Sequence, residues 1–121
     1  MTPPIRALVV DDYPDAAEAL ARLLETMGCT ASFVTDSKRA IETASAMSPQ
    51  VVFIDIGMPD INGFELAAML RERYGKSLRL VAATAYGGTA VHEMCREAGF
   101  DAHVHKPVAI ASLHRTLDAI T

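Results

Sequence analysis

The sequence predicts an α/β protein: a mostly parallel sheet with helices on both faces. Three observations carry this. Short apolar, β-branched runs recur along the chain, helical periodicity fills the intervals between them, and the two patterns alternate five times. The apparent unit of about 20–25 residues is the length of one strand plus one helix rather than a solenoid repeat.

The elements follow in order. RALVV, Arg6 to Val10, is a short apolar run expected to be a buried strand. Pro14 suits the first turn of a helix, where its missing N–H does no harm. From Asp15 to Met27, Ala16, Leu20, Leu23, Leu24 and Met27 recur at three- and four-residue steps, and Gly28 stops the helix. CTASFV reads as the second strand. Asp36 or Ser37 can cap the next helix, KRAIETASAM, with Pro49 beyond its end. Val51–Asp55 is the third strand, followed by a turn-rich loop and a helix from about Gly63 through FELAAMLRERY. LRLVAAT, Leu78 to Thr84, is the fourth strand, AYGGT a loop, and AVHEMCREA a helix closed by Gly99. AHVH, Ala102 to His105, is a short fifth strand ended by Lys106-Pro107. The last helix, AIASLHRTLDAI, carries Ile110, Leu113, Leu117 and Ile120 on one face.

A chain of 121 residues fits one domain, and a hydrophobic content of 50% is enough for a real core. The net charge of −4 argues against nucleic-acid binding, which usually shows a basic surplus. Cys29 and Cys95 form no C-x-x-C pair and are expected to be buried free thiols. The N-terminus lacks the pattern of a signal peptide, and no apolar run approaches the roughly 18–20 residues that cross a bilayer. A soluble, cytoplasmic protein without membrane insertion is expected.

The chemistry is expected where the strands end. In an open parallel sheet, ligands bind in the crevice at the carboxyl edge. The first strand ends in Asp11-Asp12, the third in Asp55, the fourth in Thr84 and the fifth in His105-Lys106. The intervals, 43 residues from Asp12 to Asp55, 29 to Thr84 and 22 to Lys106, fit two, one and one strand–helix units. All of these residues should reach the same edge. If strands one, three, four and five are neighbours in that order, successive ends lie about 4.8 Å apart. Two like charges about 4 Å apart repel by roughly 4 kcal/mol at an effective dielectric of about 20. Lys106 offsets only part of the repulsion among three carboxylates. Either one stays protonated or a divalent cation enters, and hard oxygen ligands suit Mg²⁺. With Mg²⁺ and Lys106 the charges cancel, and the site could receive a phosphoryl group, whose oxygens need cationic clamps.

These residues resemble the receiver domain of two-component response regulators over essentially the whole chain. The resemblance rests on VVDDYPD at Val9–Asp15, FIDIGMPDINGFEL at Phe53–Leu66, AATA at Ala82–Ala85 and HKP at His105–Pro107. It implies a flavodoxin-like five-stranded sheet in the order 2-1-3-4-5. It also implies roles. Asp55 would accept a phosphoryl group from a histidine kinase or histidine phosphotransfer protein. Asp12 would bind Mg²⁺ directly, Asp11 through water, and Gly57 through its backbone carbonyl. Lys106 would pair with Asp55 and then with a phosphoryl oxygen, Thr84 would be the switch hydroxyl, and Lys106-Pro107 would be cis. The receiver would catalyse its own modification and slow hydrolysis without turning over an outside substrate. As the chain ends at Thr121, just past the last helix, a stand-alone or hybrid-kinase receiver without an output domain is expected, either a monomer or a weak dimer.

The chain departs from the family pattern at His103, where many receivers carry a Tyr or Phe that turns inward with the Thr. His103 and His105 face one side of their strand, but two histidines without a third ligand are weak evidence for a metal. Tyr86, two residues after Thr84, is expected to shield an acyl phosphate from water. Val91, Met94, His103 and the last helix are candidates for a switched interaction surface. Two other classes remain: a non-phosphorylated interaction module, and an aspartyl-nucleophile phosphatase. The phosphatase usually carries a second Asp where this chain has Gly57.

Overall fold

Five parallel strands pair in the order β2-β1-β3-β4-β5. The computed structural model describes residues 4–57, 63–85 and 88–120. The elements are β1 (Arg6–Val10), α1 (Pro14–Thr26), β2 (Thr30–Val34), α2 (Ser37–Met47), β3 (Val51–Asp55), α3 (Gly63–Tyr74), β4 (Arg79–Thr84), α4 (Thr89–Glu97), β5 (Ala102–His105) and α5 (Ile110–Ile120). A 3₁₀ turn, Gly75–Ser77, follows α3. The strand order is the one that the resemblance implies.

Side chains alternate across the sheet, so each central strand feeds two cores. Leu8, Val10, Val52, Ile54, Leu80 and Ala82 pack beneath α2, α3 and α4 against Ala40, Leu66, Leu70 and Cys95. Ala7, Val9, Val51, Phe53, Val81 and Ala83 face the other way, onto Leu20 and Leu24 of α1 and Leu113 and Leu117 of α5. The middle strands are therefore apolar on both faces, which is why they read as unbroken hydrophobic runs. Phe53, Ile54 and Leu8 are each fully buried, a contribution of about 1.5–3 kcal/mol per side chain.

Helix boundaries follow local chemistry. Pro14 stands at the start of α1, and the Asp36 carboxylate caps α2 by accepting the Arg39 N–H at 2.7 Å. Gly28 closes α1 at φ +94°, a conformation that side chains resist. Several elements differ slightly from the sequence expectation. The buried stripe of α1 is Ala17, Leu20, Ala21 and Leu24, with Leu23 and Met27 at its margin. Cys29 precedes β2 and donates its N–H back to Leu24 O at 3.0 Å, so it finishes the helix end rather than starting the strand. Leu78 precedes β4, buried beyond the 3₁₀ turn. Thr89 joins α4, and Ala98 is its cap.

β1 and β3 lie side by side at the centre of the sheet, with Ala7 to Val10 opposite Val51 to Ile54. This adjacency brings together two segments more than forty residues apart in sequence, and their carboxyl ends form the rim described next. Among the described residues, no helix is long and apolar enough to cross a membrane.

Candidate functional site

The backbone just beyond β1 is held by the Asp11 N–H, which donates to Val34 O of β2 at 3.2 Å. This turns the Asp11 side chain inward, where it is buried, while Asp12 is half-buried. Asp11 Oδ1 accepts the Tyr13 N–H at 3.0 Å. That bond fixes the carboxylate at the start of α1, where the free N–H groups of the first turn favour negative charge.

Asp55 ends β3 half-buried. Its Oδ1 accepts the Gly57 N–H at 2.8 Å, a tight local turn that orients the carboxylate. The next residue, Ile56, donates its N–H to Ala83 O at 3.2 Å and so ties the loop to β4. Gly63, which opens α3, passes directly behind. A Cβ placed on it would stand 3.0 Å from both Asp55 O and Ile56 Cα.

Thr84 ends β4, is 1% exposed, and faces His105 across the ladder. Its carbonyl accepts the Lys106 N–H at 2.8 Å. The Lys106-Pro107 bond is cis. The Lys106 ammonium reaches Asp11 Oδ2 at 2.6 Å and Asp55 Oδ2 at 2.9 Å.

One oxygen from each of Asp11, Asp12 and Asp55 lies within 4.8 Å of the others. With all three ionised, Lys106 leaves two negative charges uncompensated. Burial pushes the Asp11 carboxyl above the ordinary range, and the charge of Asp55 adds to this. Lys106 and the Tyr13 N–H oppose it without cancelling it. At Lys106, burial favours the neutral amine, but the hydrogen bonds and charges of Asp11 and Asp55 outweigh it, and the pKa is raised. The lysine is thus held charged while its more buried partner is pushed toward protonation, so burial dominates at Asp11. Three hard, partly wet carboxylate oxygens with excess negative charge fit a small divalent cation such as Mg²⁺.

The structure brings Asp11, Asp12, Asp55 and Lys106 to one rim, with Gly57 and Thr84 on the adjoining backbone. Val91 is half-buried on α4, and Met94 is 50% exposed on the same helix. His103 is exposed on β5. Burial, then the nearby charges of His92 and His105, lowers its pKa. Tyr86, expected to shield the site, and residues 58–62 lie outside the described residues. Cys29 and Cys95 are buried and unbonded to each other, as expected.

Two arrangements escaped the sequence reading. One is the stacking of His92 on His103, with ring centres 3.8 Å apart. The other is an arginine clasp: the Arg71 guanidinium donates to Gly75 O, Leu78 O and Gly99 O and to the Asp101 carboxylate, at 2.6–2.8 Å. Asp101 also accepts the Leu80 N–H.

Comparison with known proteins bears on the family and the fold. The response regulator receiver domain family matches residues 7–118. The chain is 33% identical over 102 residues to a 14.6 kDa protein of Leptolyngbya boryana, covering 84% of this chain and 78% of that one. It is 35% identical over 115 residues to hybrid signal transduction histidine kinase L of Dictyostelium discoideum, covering 89% of this chain but 7% of the kinase. It is also 32% identical over 110 residues to the sensor histidine kinase RcsC of Salmonella typhi, covering 91% of this chain and 12% of that protein. The chain therefore spans only a small part of these kinases. Among solved structures, a CheY-like receiver domain from Methylobacillus flagellatus superposes with a TM-score of 0.83 at 34% identity, covering 98% of this chain and 99% of that one. The chemotaxis protein CheY4 of Vibrio cholerae gives a TM-score of 0.90 at 21% identity over the same shares, a likeness of fold.

Proposed function

The chain belongs to the response regulator receiver domain family of two-component systems, and from that membership we propose that Asp55 accepts a phosphoryl group from a phosphohistidine on a histidine kinase or histidine phosphotransfer protein. A carboxylate oxygen of Asp55 forms the new P–O bond as the P–N bond breaks. The departing imidazole keeps the electron pair and takes a proton from solvent. The donor already carries a good leaving group, so the receiver's work is positioning and charge neutralisation.

The single observation that supports this most is the bridging ammonium of Lys106, hydrogen-bonded to Asp11 and Asp55 at once. It neutralises the acceptor at rest and stands within reach of an incoming phosphoryl oxygen. The Gly57 N–H holds the acceptor carboxylate in one orientation. Asp11 and Asp12, with Asp55 and the Gly57 carbonyl, would hold Mg²⁺, which when bound supplies the remaining positive charge for the phosphoryl oxygens. Thr84 ends the strand beside β5 and supplies the hydroxyl that answers the new charge. That response biases the α4–β5 surface around Val91, Met94 and His103. Beside Asp11 and Lys106, an apolar groove lined by Ala16, Ala19, Leu20 and Leu23 of α1 gives the donor protein a docking face.

The domain modifies itself and turns over no outside substrate. The acid/base carboxylate of an aspartyl phosphatase has no counterpart at Gly57. The test is incubation with a small phosphodonor and Mg²⁺, read by intact mass. An adduct of about 80 Da that is lost in Asp55→Asn and with chelator is expected. No adduct on a folded chain would leave an unphosphorylated interaction module, and an adduct retained in Asp55→Asn would move the acceptor elsewhere.

A further inference from the structure

The α4–β5 face carries an unusual concentration of imidazole. His92 of α4 lies on His103 of β5, ring centres 3.8 Å apart and planes inclined at 58°. Both residues are exposed, so neither ring is there to fill a core. His103 and His105 stand opposite Ala82 and Thr84 in the ladder. Ala82 faces the core beneath α2–α4, so both histidines share the face that α4 covers. His105 is exposed as well. The His92 and His103 rings border an open groove whose wall also includes Glu93, Arg96 and Asp101. Asp101 is engaged by Arg71 and Arg79, and Glu93 and Arg96 balance in charge, so the imidazole nitrogens are the donors that would hold a cation there.

From this contact we infer that His92 and His103 form a chelating site for a late first-row divalent cation of the zinc class, separate from the acidic rim. The donor chemistry sets the two sites apart. Imidazole nitrogen suits Zn²⁺, Ni²⁺ and Cu²⁺, whereas the carboxylate rim suits hard cations. The geometry requires little movement. With metal–nitrogen bonds of about 2.0–2.1 Å, two imidazoles on one ion hold their ring centres about 4.5 Å apart at a right angle and about 5.2 Å apart at the tetrahedral angle. The pair therefore opens from 3.8 Å by about 0.7–1.4 Å through side-chain rotation at an exposed surface, where rotamers interchange quickly. Water completes the coordination. A bound ion would tie α4 to β5, the two elements whose relative position the switched surface depends on.

The test uses the full chain with Mg²⁺ in large excess to occupy the acidic rim. Zinc is then titrated while the imidazole resonances and the melting temperature are followed. The expected result is a selective shift of the His92 and His103 resonances with a rise in melting temperature. His92→Ala and His103→Ala should each weaken zinc binding by about tenfold or more, since losing a ligand costs at least as much as losing a partner behind one. His114→Ala, on α5, should bind as the parent does. Because His92 and His103 are exposed, the variants should fold, which the zinc-free melt verifies. Three results would overturn the site: no imidazole shift by about 1 mM zinc, the weak-binding limit; unchanged affinity in either variant; or equal loss in His114→Ala. None of these depends on whether Asp55 takes phosphate.

Discussion

The ammonium of Lys106 lies 2.6 Å from Asp11 Oδ2 and 2.9 Å from Asp55 Oδ2, so one cation just beyond β5 joins the ends of β1 and β3. Both carboxylates lose their partner together if it is removed. Lys106→Met should therefore lower unfolding stability by about 1–3 kcal/mol in chelator at neutral pH, the cost of leaving buried charged groups unpaired. Saturating Mg²⁺ should recover more of that loss in the variant than it adds to the parent, because the ion replaces the missing charge. Denaturant melts with and without Mg²⁺ provide the check; equal Mg²⁺ effects on the two proteins would mean the ion does not sit among these carboxylates.

The opposite sign is expected for Asp12→Asn. Asp12 contributes the third negative charge to a cluster within 4.8 Å, and the Lys106 ammonium is hydrogen-bonded to Asp11 and Asp55. Half exposure and the ammonium screen most of the repulsion, leaving about 1 kcal/mol to be gained without Mg²⁺. The amide should also abolish the stabilisation that Mg²⁺ gives the parent. A variant less stable in chelator would show that Asp12 serves the apo fold rather than the cation.

That repulsion is legible in the sequence, because it depends on a local rule applied four times: a polar residue stands at or just beyond the end of each of β1, β3, β4 and β5. Strand periodicity locates the ends, and parallel topology places them on one edge. The sequence did not reveal which aspartate is buried. Asp11 and Asp12 are adjacent, and it is the hydrogen bond to β2 that turns Asp11 inward. The arginine clasp was equally hidden. Arg71 and Arg73 look alike on α3, yet only Arg71 meets the carbonyls of Leu78 and Gly99, set by the return of the chain 28 residues later. Nor does the spacing of eleven residues between His92 and His103 announce a contact, since it depends on how α4 lies over β5.

Gly63 offers a steric test of the acceptor's support. A methyl at this position would meet Asp55 O and Ile56 Cα at 3.0 Å, and both are backbone atoms that cannot rotate away. Gly63→Ala should destabilise the fold by about 1–3 kcal/mol through overpacking, despite the better helix propensity of alanine. It should also slow phosphoryl uptake on Asp55 beyond what the fraction unfolded explains. Small-phosphodonor labelling at a temperature where the variant is fully folded separates the two effects. Parent-like stability would show that α3 can shift away from β3 without penalty.

The buried thiols predict an alkaline limit to stability. Burial raises the pKa of both Cys29 and Cys95 above 9.0, because the thiolate would sit among apolar neighbours. In the unfolded chain the thiols ionise near 9.0, while in the native protein they keep their protons to higher pH. The unfolded state therefore binds fewer protons above that point, and stability must fall as pH rises. The contribution is fully present below pH 9 and is lost as pH climbs through the raised native values. Cys29→Ala with Cys95→Ala should flatten the decline above pH 9, although the small side chains will lower stability overall. Urea melts across that range measure the slope. A decline as steep in the double variant as in the parent would assign the alkaline loss to other groups, and fast native-state labelling of either thiol at pH 8 would contradict their burial.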